Sequence, residues 1–373
     1  MTTTTPSAAP ASAPDGRHAS PQAPPEEIEA FAGRMFDVLS QASTALMISI
    51  GHRTGLFDTL TSLPPSTSTQ IAEAAGLQER YVREWLGAMT VARIVTHEHG
   101  TDRFSLPDAH AAVLARAAGP DNLSAIMQFI PLLSQVEDAV IHSFRQGGGV
   151  PYSAYTRFHE LMSELSSASH DAALVEAIVP LEPGLTRRLT DGIRVADIGC
   201  GRGHSLNLLA SAFPGSAFIG YDFADEAIDA ARAEAAEWGL ENASFEVRDV
   251  TDLTGTGAFD LITAFDAIHD QAHPATVLGQ VAAHLAPDGI FLMGDMRASS
   301  NLEDNLAIPW SPFLYTVSTM HCMTVSLGLD GAGLGTVWGE QLALRMLADV
   351  GLTDVRVEQV EGDFINSYYV ARR

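Results

Sequence analysis

The sequence predicts an α/β protein in two parts: a doubly wound, mostly parallel sheet of seven strands, preceded by a mainly α winged-helix domain. Three observations carry this reading. First, short apolar strands alternate with amphipathic helices from residue 191 onward, the pattern of a sheet covered on both faces. Second, a strand with Ile193, Val195 and Ile198 runs into Gly199, Gly201 and Gly203, and a helix with Leu206, Leu208, Leu209 and Phe213 follows. Such a turn brings backbone close to a ligand, at angles that glycine reaches cheaply. Third, residues 68–105 read as helix, turn, helix and hairpin.

At 373 residues, two domains or one large domain with a smaller one are expected. The composition shifts divide the chain into a tail (1–25), the winged-helix domain (26–118), a helical linker and substrate cap (119–190) and the sheet domain (191–373). No apolar run approaches the roughly 18–20 residues of a membrane span. The formal net charge of −25 is spread along the chain, which argues against nucleic acid as a partner, since phosphate binding needs a cationic face. Of the two cysteines, Cys200 sits inside the glycine turn. A structural disulfide is therefore not expected, and a reducing, cytoplasmic setting fits.

Residues 1–25 are mostly Thr, Ser, Ala and Pro, without the apolar block of a signal peptide, and read as a disordered tail. Phe31, Met35, Phe36 and Leu39 then recur at helical spacing, and Ala45–Ile50 continue as a second apolar stretch. Ser68–Leu77 has a Ser/Thr start and a glycine stop. In the next helix Tyr81, Val82, Trp85, Leu86 and Met89 fall on one face. Ile94–His97 and Arg103–Leu106 pair about a turn at Gly100. A winged helix either binds DNA or serves as a dimerisation module. Arg80, Arg83 and Arg93 stand against Glu79 and Glu84, a small positive excess on a very acidic chain, so dimerisation is the favoured role.

Residues 120–190 are helical, broken by Gly147-Gly-Gly-Val-Pro-Tyr-Ser-Ala-Tyr155, a loop by its turn chemistry. Phe158, Leu161, Met162 and Leu165 form the buried stripe of the next helix, and Tyr152, Tyr155 and His159 occupy a neighbouring face. These three either line a substrate pocket between domains or pack against the sheet domain. In that domain Ala217–Asp222 and Ala243–Asp249 are strands ending in acids. Phe259–Asp266 is a fourth strand, followed by Ile268-His-Asp270. A helix at 275–285, a turn at Pro287-Asp-Gly and a fifth strand, Gly289–Asp295, come next. A helix at 341–350 and two antiparallel strands, 354–360 and 367–371, complete the sheet.

The turn after the first strand could hold a dinucleotide or S-adenosylmethionine. A dinucleotide fingerprint is Gly-x-Gly-x-x-Gly with pyrophosphate at the helix amino terminus. Here the spacing is Gly-x-Gly-x-Gly, preceded by Asp197, which would repel pyrophosphate but suits a cationic amino-acid moiety. Asp222 stands where a carboxylate takes both ribose hydroxyls. Asp249 can accept from an adenine amine, with Val250 as a backbone donor.

From about 191 onward the chain resembles the class I S-adenosylmethionine-dependent methyltransferases, with their Rossmann-like sheet. From about 27 it resembles the bacterial small-molecule methyltransferases that carry an amino-terminal winged helix. The likeness rests on Gly51–Phe57, Arg80–Leu86, Gly147–Tyr155, Asp197–Gly203, Phe265–Asp270 and Met320–Ser326. It implies that Gly199, Gly201 and Gly203 pack against the methionine part of the cofactor, that Asp222 holds the ribose, and that Asp249 and Val250 hold the adenine. Phe223 and Phe265 join them as cofactor contacts.

Methylating a hydroxyl requires alignment, exclusion of water and removal of a proton. Histidine is the usual acceptor of that proton. His269 follows the fourth strand with Asp270 beside it, and plant-type natural-product O-methyltransferases have a similar His-Asp there, with the histidine as base. His321 lies in a segment that could fold over the substrate, and is the third catalytic candidate. His269, Asp270 and His321 would also make a facial iron triad, as in some bacterial 2-oxo-acid C-methyltransferases; this arrangement is not the favoured one. His159 and His204 otherwise read as structural. The resulting expectation is a cytoplasmic, dimeric enzyme that methylates a small molecule at O, N or C. The alternatives are a winged-helix regulator that uses the sheet domain as a sensor, and an enzyme that binds the cofactor without methylating.

Overall fold

The computed structural model describes residues 23–373. The tail expected over 1–25 lies, as far as residue 22, outside the described residues. Of these, residues 23–43 belong to one compact unit and Thr44–Arg373 form a second. A single helix, Pro25–Arg53, replaces the two apolar stretches read from the sequence, and Phe31, Phe36 and Leu39 stand exposed on it.

In the second unit the winged-helix elements form where their caps dictate. Thr67 and Gln70 make a reciprocal capping box at the start of Ser68–Ala75, and Gly76 closes that helix in the left-handed conformation. The next helix, Glu79–Val91, buries Val82, Trp85, Leu86 and Met89. Tyr81 is a correction to the sequence reading: it points to solvent, because it sits one position round from the buried stripe. Trp85 donates through its indole to the Met47 carbonyl at 2.8 Å and meets Phe57 edge-on. The wing is β1 (Thr96–Glu98) against β2 (Arg103–Ser105). Arg80 pairs with Glu84 and Arg83 with Glu79 along the same helix, so two of the three arginines in the supposed recognition helix are matched by acids.

Among the described residues, seven further strands form one sheet in the order β5-β4-β3-β6-β7-β9-β8. They are β3 (Arg194–Ile198), β4 (Ala217–Asp222), β5 (Ala243–Val247), β6 (Phe259–Phe265), β7 (Leu285–Met296), β8 (Asp354–Glu358) and β9 (Asn366–Arg372). β9 runs antiparallel to both β7 and β8, and the remaining pairs are parallel. Two strand ends differ from the sequence reading. Asp249 lies two residues past β5, on the surface, and Asp266 lies outside β6 with φ +51°. The turn expected at 287–289 is absorbed into β7 as a register shift: Phe259 pairs with Leu285, but Leu261 pairs with Ile290.

Both faces of the sheet are covered. Leu206, Leu209, Phe213, Ile228 and Leu189 pack on one side, and Val277, Leu278, Val281, Ala343 and Leu347 on the other. Each of the Val, Leu, Ile and Phe side chains among them contributes about 1.5–3 kcal/mol when fully buried. The strand order reverses at β3, which has β4 on one side and β6 on the other. Ligands of doubly wound sheets bind at that switch, beyond the carboxyl ends of the strands. Above it, Phe158, Leu161, Phe129, Leu132 and Val150 form a separate apolar cluster with Val317, Cys322 and Val325.

Candidate active site

The glycine turn leaves β3 with Gly199, Gly201 and Gly203 all at positive φ. The first and third are packed: a Cβ on Gly199 would lie 2.6 Å from the Ala267 Cβ, and one on Gly203 2.5 Å from that of Ala231. Beside Gly201 the space is open. Its N–H donates to Asp222 Oδ2 at 2.9 Å, and the Ala224 N–H donates to the other oxygen at 2.9 Å. Asp222 is thus fixed at the end of β4, with the Phe223 ring 53% exposed beside it. Asp197 faces Thr263 across the β3–β6 register and accepts its hydroxyl at 2.7 Å. Burial, opposed by that bond, pushes the Asp197 carboxyl up to about 7. Val250 is buried nearby in sequence, whereas the Asp249 carboxylate turns back to accept from the Thr251 N–H and hydroxyl. Phe265 packs against His170.

The second half of the site follows β6. The register sets Phe265 beside Gly294, so Asp295 of β7 reaches the loop that carries His269. Asp295 accepts from Nδ1 of His269 at 2.8 Å, with both side chains buried. The acid on the His269 ring is thus Asp295 rather than the adjacent Asp270: position in the sheet, not adjacency in sequence, decides this pairing. Burial alone would favour the neutral imidazole. The Asp295 charge and hydrogen bond, with Cys322 against the same ring, outweigh it and hold the His269 pKa well above its ordinary value. Burial also raises Asp270 to about 6, despite His269, and Asp266 to about 7. Asp266 and Asp295 each keep one buried oxygen without a partner.

The cap residues come to the same place. Tyr152 stacks on His159 at 4.8 Å and meets Phe223 edge-on at 5.7 Å. Its phenol pKa is raised well above the ordinary value by burial and by the charges of Asp270 and Asp222. The Tyr155 hydroxyl donates to the Met320 carbonyl. His159 pairs with Glu226, which also takes Arg202 of the glycine turn at 2.8 Å. A cavity of about 260 Å³ opens there, lined by Tyr155, Arg157, Phe158, His159, Arg202 and Glu226 among others. His204 lies between Asp171 and Glu234, a structural position. Among the described residues no three His, Cys, Asp or Glu side chains are grouped to hold a metal. Sequence reasoning named the strand ending at Asp295 but not its pairing; an acid at the carboxyl end of a strand beside the switch was the available signal.

The glycine turn, the acid that ends β4 and the sheet order define a class I methyltransferase fold with an amino-terminal winged-helix domain. Residues 189–338 match the model of a methyltransferase domain, and residues 42–116 that of an Rv2258c-like winged HTH domain. The chain is 30% identical over 174 residues to the trans-aconitate 2-methyltransferase of Methylobacterium radiotolerans, across 47% of this chain and 57% of that protein. It thus spans a little over half the length of that curated relative. Its fold is similar to mitomycin 7-O-methyltransferase, with TM-score 0.70 and 18% identity over 93% of this chain and 99% of that one. It is also similar to an O-methyltransferase from neocarzinostatin biosynthesis solved with S-adenosylmethionine and 2-hydroxy-5-methyl naphthoic acid. There the TM-score is 0.62, with 15% identity over 88% and 96% of the two chains. No helix among the described residues is long and apolar enough to cross a membrane.

Proposed function

We propose that the protein transfers a methyl group from S-adenosylmethionine to a hydroxyl of a small molecule, with His269 as the base. The observation that carries this is the His269–Asp295 pair, buried at the switch point beside the glycine turn. The residues fit the cofactor: open space beside Gly201, a fixed carboxylate at Asp222, an exposed ring at Phe223 and a buried acid at Asp197. Asp222 would take the ribose, Val250 and Phe223 the adenine, and Asp197 the amino-acid end. When bound, the cofactor supplies a methyl group on a positively charged sulfur, open to displacement by a nucleophile.

The protein's own part is orientation and proton transfer. Asp295 fixes the ring of His269 through Nδ1, leaving Nε2 to receive the acceptor's proton. The imidazolium that forms is stabilised by the same carboxylate. Tyr152, Tyr155 and Phe158, packed round His321, would exclude water from the acceptor. Titrating purified protein with S-adenosylhomocysteine by calorimetry, then screening hydroxylated small molecules for methyl transfer, tests the reading. Absence of binding would refute it.

Cofactor binding should depend on pH through Asp197. The ionised carboxylate attracts the cofactor's ammonium group, so affinity should fall as pH drops through about 7, by up to about tenfold per unit below it. Asp197→Asn should bind more weakly at pH 8 and lose most of this slope. An unchanged slope in that variant would assign the dependence to another group.

We also propose that the chain works as a homodimer in the cytoplasm, where Cys200 and Cys322 stay free. A second copy would cover Phe31, Phe36 and Leu39 of the Pro25–Arg53 helix, three large apolar side chains otherwise left in water. Sedimentation should give twice the chain mass, and Phe36→Glu with Leu39→Glu should give the monomer with its fold retained. A monomeric wild type would remove the dimer from this picture. A regulator role is less favoured, given the acid-matched arginines of the Glu79–Val91 helix.

A further inference from the structure

His321 lies in a π-helical turn, Ser318–Cys322, with none of its surface exposed. Neither ring nitrogen has a hydrogen-bond partner. Three aromatic side chains surround it: Phe158 stacks at 3.4 Å and 8°, and Tyr155 and Tyr152 meet it edge-on at 4.6 and 5.2 Å. A buried donor and a buried acceptor left unpaired on one ring are costly. Leucine, of similar volume, would fill the same space without that cost. Such groups persist in native proteins where a ligand completes them.

The position supports a ligand too. Tyr155 and Phe158, which pack directly on His321, also line the open cavity, so a single layer of side chains separates the imidazole from it. Cys322, the next residue, is among the groups that favour a charged His269. Tyr152, which meets His321 edge-on, also meets Phe223, the residue after Asp222. Burial, with the charge of His269, keeps His321 neutral, so it offers one N–H and one bare nitrogen.

We propose that His321 anchors the methyl acceptor by a hydrogen bond, while Tyr152, Tyr155 and Phe158 form the slot for its ring. The acceptor class is then a planar aromatic molecule with a hydroxyl or carbonyl positioned to reach the imidazole. This rests on the methyl-transfer reading and extends it to the acceptor. His321 would be a specificity-determining residue; the proton is taken by His269.

Two measurements on the full chain, made without cofactor, test this. His321→Leu should raise the melting temperature by about 2 °C or more, because it removes two unpaired polar atoms and keeps the volume. In wild type, 1-naphthol should bind about tenfold more tightly than naphthalene, followed by fluorescence. His321→Leu should erase that preference, and His321→Gln, which keeps a donor and an acceptor, should retain part of it. A lower melting temperature in His321→Leu, or an equal preference for naphthol in His321→Leu and wild type, would overturn the proposal. Failure to bind S-adenosylhomocysteine would remove the methyl-transfer reading while leaving these measurements standing.

Discussion

Asparagine at position 269 should lower kcat for methyl transfer by about 10²- to 10⁴-fold and leave the affinity for S-adenosylhomocysteine within about twofold of wild type. The separation follows from the fold. Asp222 ends β4 and Gly201 follows β3, whereas His269 lies after β6 and is held by Asp295 of β7. Loss of the imidazole therefore removes the proton acceptor without disturbing the cofactor's cradle. The pH profile sharpens the test. A base must be neutral to act, and Asp295 holds the His269 pKa well above its ordinary value. The acid limb of kcat in wild type should therefore lie above pH 6.5, with activity rising as pH increases through it. Asp295→Asn removes the charge that favours imidazolium. It should move that limb to lower pH while lowering the maximum about 10- to 100-fold, since the ring is no longer fixed. Full activity in His269→Asn would show that the acceptor reaches the site already ionised, and the base would be struck out.

Why Asp295 escapes a reading of the sequence is a matter of register. The strand ending there is legible from Gly289–Asp295, and the acid is plain. What brings its carboxylate to His269 is the alignment of β7 on β6, and that alignment includes the shift between Phe259 and Leu261. A pattern of period two says which face a residue takes, not which residue of the neighbouring strand it meets. The same limit hides the stack of Phe158 on His321, two residues brought together by packing between distant helical segments. The glycine turn behaves differently. Its geometry is local, and positive φ at Gly199, Gly201 and Gly203 follows from three neighbouring residues. Asp197 and Asp222 are nearly local as well, because each occupies a strand next to the turn. Local chemistry thus makes the glycine turn and its two acids legible, while the His269–Asp295 pair and the surroundings of His321 depend on tertiary register. Tyr81 shows the limit at its smallest: one position round a helix separates a buried residue from an exposed one.

The glycine turn permits a second test with large and opposite consequences at adjacent glycines. Gly203→Ala places a methyl 2.5 Å from the Ala231 Cβ and 2.6 Å from the Phe245 ring, at φ +75°. Overpacking of this kind costs about 1–3 kcal/mol and the left-handed backbone a further 1–2 kcal/mol or so. The variant should melt well below wild type, and its poor cofactor binding would be a consequence of that. Gly201→Ala meets no atom within 4 Å. It bears only the backbone cost of φ +52°, about 1–2 kcal/mol, and should remain folded. Its methyl would instead enter the open space beside the N–H that holds Asp222, where cofactor atoms must approach the backbone. Affinity for S-adenosylhomocysteine should therefore drop by about tenfold or more, some 1.4 kcal/mol per decade, with circular dichroism unchanged. The two variants separate what the glycines do for the sheet from what they do for the ligand. If Gly201→Ala binds as tightly as wild type, the cofactor does not lie against this turn, and the placement of the methyl donor above β3 fails with it.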